Sequence, residues 1–189
     1  MESIYFDMQL PILQGKKINL RRPVPSDAED ILKYAGDAAV ARFLPLMPHP
    51  YTLDDAHQWI NSARRSRQKD TAYDFGIEHR QHKKIIGGIS LKNINREDRN
   101  AEVGYCLAKE FWRQGIVSEA LDLILRFSFR TLRLHRVYAV VHDKNVGSFK
   151  LLEKAGFVRE GIWREGSRFT GRYCDVYAYG MLRSEYKAG

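Results

Sequence analysis

The chain has 189 residues, 44% of them hydrophobic, enough apolar material for a core and too much for wholesale disorder. Its 31 Lys and Arg against 23 Asp and Glu give a formal charge of +8, compatible with an anionic partner (nucleic acid, phosphorylated cofactor, acidic membrane face) or with a generally basic, soluble surface, since the charges form no long block. No apolar stretch is long enough to cross a bilayer, and Glu2 and Asp7 interrupt any signal-peptide pattern. Cys106 and Cys174 form neither a C-x-x-C pair nor a disulfide framework, so a reducing cytoplasm is the expected setting.

No low-complexity linker or internal repeat interrupts the sequence, which reads as one domain over 1–189 opening with a short arm over 1–15. Residues 17–21 alternate polar and apolar as a strand does, and Pro23 and Pro25 end it. Ser26 with Glu29 predicts a capping box, after which Ala28, Ile31, Leu32 and Ala35 share a helical face up to Gly36. A second helix follows the loop at 45–50, with Ala56, Trp59, Ile60 and Ala63 on one face and Arg64, Arg65 and Arg67 on a solvated side. Tyr73, Phe75 and Ile77 then alternate with polar or small neighbours, 85–91 is uniformly apolar like a central strand, 93–100 reads as a turn, and 102–107 as another strand.

The strongest helix is predicted over 118–132. Glu119, Asp122, Arg126, Arg130 and Arg133 recur every three or four residues and draw one narrow polar stripe. Leu121, Leu123, Ile124, Leu125 and Phe127 fill the rest, so this helix must pack deeply against a sheet. A buried-type strand follows at 136–141, then a short helix at 146–155 closed by Gly156, then a hairpin from Phe157 turning near 166–171. Tyr173, Tyr177 and Tyr179 alternate on one face of its second strand, as packing residues do. The pattern is a mixed α/β fold of about seven strands and about four helices, with no regular β-α-β-α repeat. No G-x-G-x-x-G follows a strand, which speaks against a dinucleotide fold.

The segment between Glu102 and Ala120 carries the chemistry. A strand leads through Arg113, Gln114 and Gly115 into the start of the most buried helix. Helix N-termini present unpaired N–H groups and a partial positive charge of roughly half a unit. Gly115 lets backbone approach a ligand and Arg113 adds charge, which suits a diphosphate, although many such turns are only turns.

Trp112-Arg113-Gln114-Gly115-Ile116-Val117 resembles the acetyl-CoA pyrophosphate loop, Q/R-x-x-G-x-G/A, of the GNAT N-acetyltransferase superfamily. Asn145, Ser148, Leu151, Leu152, Glu153, Lys154, Gly156 and Phe157 resemble that superfamily's post-strand segment. Residues 157–161 and 173–182 are similar to its Rim-type branch, named for ribosomal-protein N-terminal acetyltransferases. The resemblance covers nearly the whole chain and implies a single GNAT-like domain with a central mixed sheet. Three departures stand out. Trp112 takes the place of the first Gln or Arg, which this branch often allows. Val117 replaces a small residue and brings a branched side chain toward the diphosphate, and Leu152 stands where many relatives have a tyrosine general acid.

What the resemblance implies is direct transfer: a neutral amine attacks the acetyl thioester of acetyl-CoA without an acyl-enzyme. Cys106 and Leu107 would lie beside pantetheine, with neighbouring amides near the thioester oxygen. Arg113, Gln114, Gly115, Ile116, Val117 and Ser118 would hold the diphosphate, Asn145 the pantetheine arm, and Ser148 would reach the sulfur in place of the missing tyrosine. A serine in the first turn of a helix also suits a backbone cap. Glu102 is the general-base candidate, directly or through a water, set against the reading of a solvated strand-end glutamate. An α-amine, with a pKa of about 8 against about 10.4 for lysine, needs only modest help. Cys106 reads as a core cysteine rather than a nucleophile. The six histidines and the acids form no ligand pattern, so no metal is expected.

The favoured acceptor is a protein or peptide N-terminal α-amine, a ribosomal protein among the options. The alternatives are a small-molecule amine (polyamine, antibiotic or amino acid) and a non-catalytic acyl-CoA sensor, the latter suggested by Leu152 and Val117. The +8 charge disfavours polycations, since like charges repel over about a Debye length, ~8–10 Å. With no zinc-finger or RNA-recognition signature, neither direct nucleic-acid binding nor membrane binding is expected. A cytoplasmic monomer or homodimer is the expected form.

Overall fold

The computed structural model describes residues 10–44, 47–169 and 171–187. Its strands are β1 (Leu13–Gln14), β2 (Ile18–Arg21), β3 (Tyr73–His79), β4 (Ile85–Asn95), β5 (Asn100–Leu107), β6 (Arg136–His142), β7 (Val158–Phe169) and β8 (Arg172–Leu182). They form one sheet of eight strands in the order β1-β2-β3-β4-β5-β6-β8-β7. The helices are α1 (Ala28–Ala35), α2 (Ala38–Ala41), α3 (Leu53–Gln68), α4 (Ile116–Arg126) and α5 (Val146–Lys154). The mixed α/β class is as expected. The additional elements are β1, two residues long, and α2, four residues long, both too short to show a period. Of the expected arm, 1–9 lie outside the described residues, as do Pro45 and Leu46 of the loop between α2 and α3.

The expected Ser26–Glu29 capping box does not form. Asp27 takes that place: its carboxylate accepts the Val24 N–H at 2.8 Å and pairs with both terminal nitrogens of Arg21 at 2.8 Å. The reciprocal box belongs instead to α3, where Thr52 and Asp55 cap one another. The helix expected from 118 starts two residues earlier, at Ile116, and ends by widening into a π-type turn over Phe127–Thr131. In the last hairpin β7 runs on to Phe169, past an irregular stretch between Trp163 and Ser167. Of the three tyrosines on β8, Tyr179 is buried and donates to Glu153, whereas Tyr173 is exposed where the hairpin outruns the body.

The two faces of the sheet differ in chemistry. One face carries Leu20, Phe75, Ile77, Ile89 and Leu91 and receives α4, whose Ile116, Ala120, Leu121, Ile124 and Leu125 are buried with them. The stripe of Glu119, Asp122 and Arg126 stays outside that contact. Each such Leu or Ile contributes about 1.5–3 kcal/mol when fully buried, which fixes α4 firmly. The other face, beneath α1 and α3, presents Gly76, Gly88, Ser90 and Gly104 between apolar patches. Small side chains there leave space rather than filling it.

The sheet also divides along its length. β5 pairs antiparallel with β4 as far as Leu107, but parallel with β6 only at Asn100, Ala101 and Glu102. Beyond Glu102 the strands separate, β6 following β8 to His142. Where β4 and β5 remain paired, their backbones approach closely at Gly87, whose missing Cβ would meet the Cys106 carbonyl. A Cβ on Gly88 would stand 3.5 Å from the Tyr34 hydroxyl and 3.8 Å from the Trp59 ring, ordinary contact distances. Gly87→Ala is therefore expected to destabilise the protein by about 1–3 kcal/mol, as overpacking does, and Gly88→Ala by clearly less. Urea unfolding of both variants checks the contrast.

Candidate active site

The start of α4 is built by backbone geometry. Arg113 (φ 61°) and Gly115 (φ 77°) both take the left-handed conformation, and Gly115 forms the cap of α4 with nothing within 4 Å of the place a Cβ would occupy. The first bond of the helix ladder runs from the Glu119 N–H to the Gly115 carbonyl at 3.1 Å. The amides of Ile116, Val117 and Ser118 therefore precede the ladder and face outward with the positive end of the helix dipole. Val117 packs against the apolar core and does not crowd the turn.

Three contacts hold this turn from behind. The Trp112 indole N–H donates to the Leu107 carbonyl at 2.8 Å, which ties the loop to the end of β5 and gives this unusual motif residue a purpose. Gln114 spends its side-chain amide on the Glu110 carbonyl at 2.8 Å, so its part in the turn is its backbone. Lys17, between β1 and β2, donates from Nζ to the Gln114 carbonyl and from its backbone to Glu119, both at 2.9 Å. Sequence reasoning missed Lys17, nearly a hundred residues away in the chain.

On β5 the ladder decides which residues face the gap. The Ala108 N–H bonds the Ile86 carbonyl at 2.8 Å, so in antiparallel alternation Cys106, Gly104 and Glu102 also turn their backbones toward β4. Val103, Tyr105 and Leu107 turn theirs toward the gap left by β6, and the Arg99 carbonyl, which accepts the Arg136 N–H, confirms that parity. The expectation for Leu107 thus fits this edge. Cys106 belongs elsewhere: its thiol lies on the α1 side against Tyr34, and burial pushes it up to about 11, too high for a ready thiolate.

Asn145 and Ser148 sit together at the start of α5, across the gap from Tyr105. The Asn145 side chain accepts the Ser148 N–H at 3.2 Å and caps α5, which leaves the Ser148 hydroxyl free of capping. That hydroxyl shares a hydrogen bond of 2.7 Å with the Tyr105 hydroxyl. Burial pushes the Tyr105 phenol up to about 12 despite the opposing bond to Ser148, so the phenol keeps its proton at working pH. Sequence reasoning gave Tyr105 no role, because its partner lies on α5, 43 residues on.

Glu102 is buried, at 8% exposure, rather than solvated. Its carboxylate lies 3.0 Å from the Lys92 ammonium and accepts from the Asn93 side chain at 2.9 Å. It stands on the same face as Gly104 and Cys106, where a cavity of about 410 Å³ opens between α1, α3, the loop before α3 and the sheet. Tyr34, Met47, Tyr51 and Trp59 form its walls, with Gly88 and Gly104 in its floor. Near the mouth, Phe43 stacks on Phe169 of the β7–β8 hairpin at 5.4 Å between ring centres. The gap and the cavity share Tyr105, so one residue borders both.

A family model described as an acetyltransferase (GNAT) domain matches residues 17–158. The probable N-acetyltransferase YjcK of Bacillus subtilis is 33% identical over 178 residues, covering 92% of this chain and 98% of that protein. A ribosomal-protein-S5-alanine acetyltransferase structure from Vibrio fischeri superposes with a TM-score of 0.84 at 25% identity, covering 94% of this chain and 99% of the other. The spermidine N-acetyltransferase of Vibrio cholerae, in complex with CoA and spermine, superposes at 0.79 with 27% identity over 91% of this chain and 99% of the other.

Removing the Trp112 donor tests the tie between turn and strand. Trp112→Phe keeps a ring and leaves the Leu107 carbonyl without its partner, with an expected loss of about 1 kcal/mol in urea unfolding. Amide exchange at 113–116 is expected to speed up with it.

Proposed function

The chain belongs to the GNAT acetyltransferase family, and from that premise we propose that it acetylates the N-terminal α-amine of a protein or peptide, using acetyl-CoA. The observation that carries the reading is the gap between β5 and β6, with the α4 amides at one end and the cavity on the other side. The relative that acts on a ribosomal-protein alanine supports the acceptor, while the spermidine relative keeps a small-molecule amine as the second reading.

Acetyl-CoA supplies the activated acetyl thioester; the remaining work falls to the chain's own groups. The turn fits a diphosphate, because outward amides meet open space at Gly115 and the Arg113 backbone turns there. Arg113, Gln114, Gly115, Ile116, Val117 and Ser118 are the residues proposed to hold it. Tyr105 and Leu107 offer a strand edge to the amides of pantetheine, as an added strand would be received. Asn145 fixes the start of α5 and so the position of Ser148.

Either hydroxyl can donate in the Tyr105–Ser148 bond; we assign Tyr105 as the donor, which leaves the single Ser148 proton for the departing sulfur. A hydroxyl donor stabilises the thiolate as the C–S bond breaks. Glu102 accepts the proton from the amine through a water. Lys92 and Asn93 hold its carboxylate in place, and an α-amine with a pKa of about 8 needs less help than a lysine. The hydroxyl pair supplies the proton function that Leu152 lacks, so the reading as a mere acyl-CoA sensor loses its ground.

Ser148→Ala is expected to lower kcat by about 10²-fold while acetyl-CoA binding, measured by calorimetry, stays within about threefold. Tyr105→Phe should lower kcat by about 10-fold, and the double variant should be no slower than Ser148→Ala alone, since the two hydroxyls act as a unit. An unchanged kcat in Ser148→Ala removes its assignment. For Glu102→Gln, the loss with a peptide acceptor is expected to be about 10-fold at pH 7 and to fade above pH 9, where an α-amine is already neutral. A loss independent of pH would assign Glu102 a purely structural part.

A further inference from the structure

We infer that the acceptor cavity is built for a primary amine carried next to a bulky apolar or aromatic group, and not for a polycation. The inference rests on the acetyl-transfer reading and adds the chemistry of the acceptor. It stands on an inventory of what the walls can offer. Tyr34, Tyr51 and Trp59 present aromatic faces, and Ile31, Leu44 and Met47 present aliphatic ones.

The ionisable groups in the lining are largely spoken for. Asp55 accepts the Thr52 N–H at 2.8 Å and the Thr52 hydroxyl at 2.6 Å in the cap of α3. Lys92 is paired with Glu102 at 3.0 Å, and its ammonium would repel a second cation. The phenols of Tyr34 and Tyr51 are both raised by burial and stay neutral, Tyr51 to about 12. A polyamine would bring several ammonium groups to a cavity whose lining holds one carboxylate, already engaged, and burying a cation without a partner is heavily penalised. A neutral amine attached to an aromatic or branched group meets no such penalty and gains contact with the walls.

The floor sets the depth. Gly88 lies between Tyr34 and Trp59, where a methyl group would make ordinary contacts at 3.5 and 3.8 Å. Gly88→Ala therefore fills part of the cavity between Tyr34 and Trp59 without forcing its walls apart. One methyl group in an apolar pocket commonly changes discrimination by 10-fold or more.

Two sources carry the same chemistry, a peptide N-terminus and a free arylalkylamine. The test is CoA release by the full-length chain with peptides identical except for Phe, Leu, Ala or Asp at position one, with 2-phenylethylamine, and with spermidine. The Phe and Leu peptides, or 2-phenylethylamine if the acceptor is a free amine, are expected to show kcat/KM at least about 10-fold above the Ala peptide and spermidine. Gly88→Ala is expected to shrink the preference for Phe over Ala by about 10-fold, with a cooperative melt lowered less than that of Gly87→Ala showing an intact fold. Met47→Ala, on the loop away from the sheet, is a second variant and should shrink it by about threefold through lost wall contact. Spermidine as the best acceptor, or a preference untouched by both variants, overturns the inference and leaves acetyl transfer standing. No CoA release with any amine overturns the acetyl-transfer reading and this inference with it.

Discussion

Everything in this site follows from β5 and β6 pairing for three residues and then parting. An open ladder leaves the backbones of Tyr105 and Leu107 without a neighbouring strand, and buried backbone groups demand partners. The molecule meets part of that demand itself, since Trp112 covers the Leu107 carbonyl. The rest is left as an edge that an extended ligand can join. The Tyr105–Ser148 bond spans the same gap and fixes its width where the strands no longer do.

That parting is stable because the two faces of the sheet do different work. The apolar face seats α4 with six buried side chains, so the first turn of the helix, where the amides are open, is held by the last turns, where the chain is fully packed. Behind the turn, Lys17 clamps both the Gln114 carbonyl and Glu119. A rigid turn loses little conformational entropy on meeting a ligand, which is the reason to spend a hairpin on bracing it. The opposite face gives up packing at Gly88, Ser90 and Gly104 and gains a cavity beside the edge.

Much of this was legible in the sequence, and the reason is periodicity. The single polar stripe on α4, the alternation in β3 and the spacing of Asn145 and Ser148 are local patterns, and local patterns survive without a fold. So does Gly115, because a left-handed cap has few residue choices. What was not legible depends on pairing between distant segments. Alternation shows that Cys106 and Leu107 face opposite ways, but not which of them faces β6; that is set by the register with β4. The partner of Tyr105 lies on α5, the brace of Gln114 lies before β2, and Glu102 is buried by Lys92 and Asn93 rather than left in water. The capping box at α1 misled for a local reason: Asp27 competes with Ser26, and its ion pair with Arg21 is the stronger contact.

Charge shows why averages over the chain do not choose a substrate. The formal charge of +8 says only that anions are welcome somewhere. Within the site the positive character is one-sided. The α4 amides and the helix dipole lie at one end, with Lys17 and Arg113 on the turn itself. At the other end Lys92 is paired with Glu102, Asp55 keeps its charge while accepting from Thr52 in the α3 cap, and the walls are aromatic. On the proposed reading, an anionic cofactor and a neutral amine are sorted to opposite ends before any contact specific to either is made. Glu102, the proposed acceptor of the amine's proton, is buried near the start of β5, on the far side of Gly104 and Cys106 from the α4 turn. If the proposed reading holds, the one-sided polarity of the site orders the two substrates, which the net charge of the chain could not do.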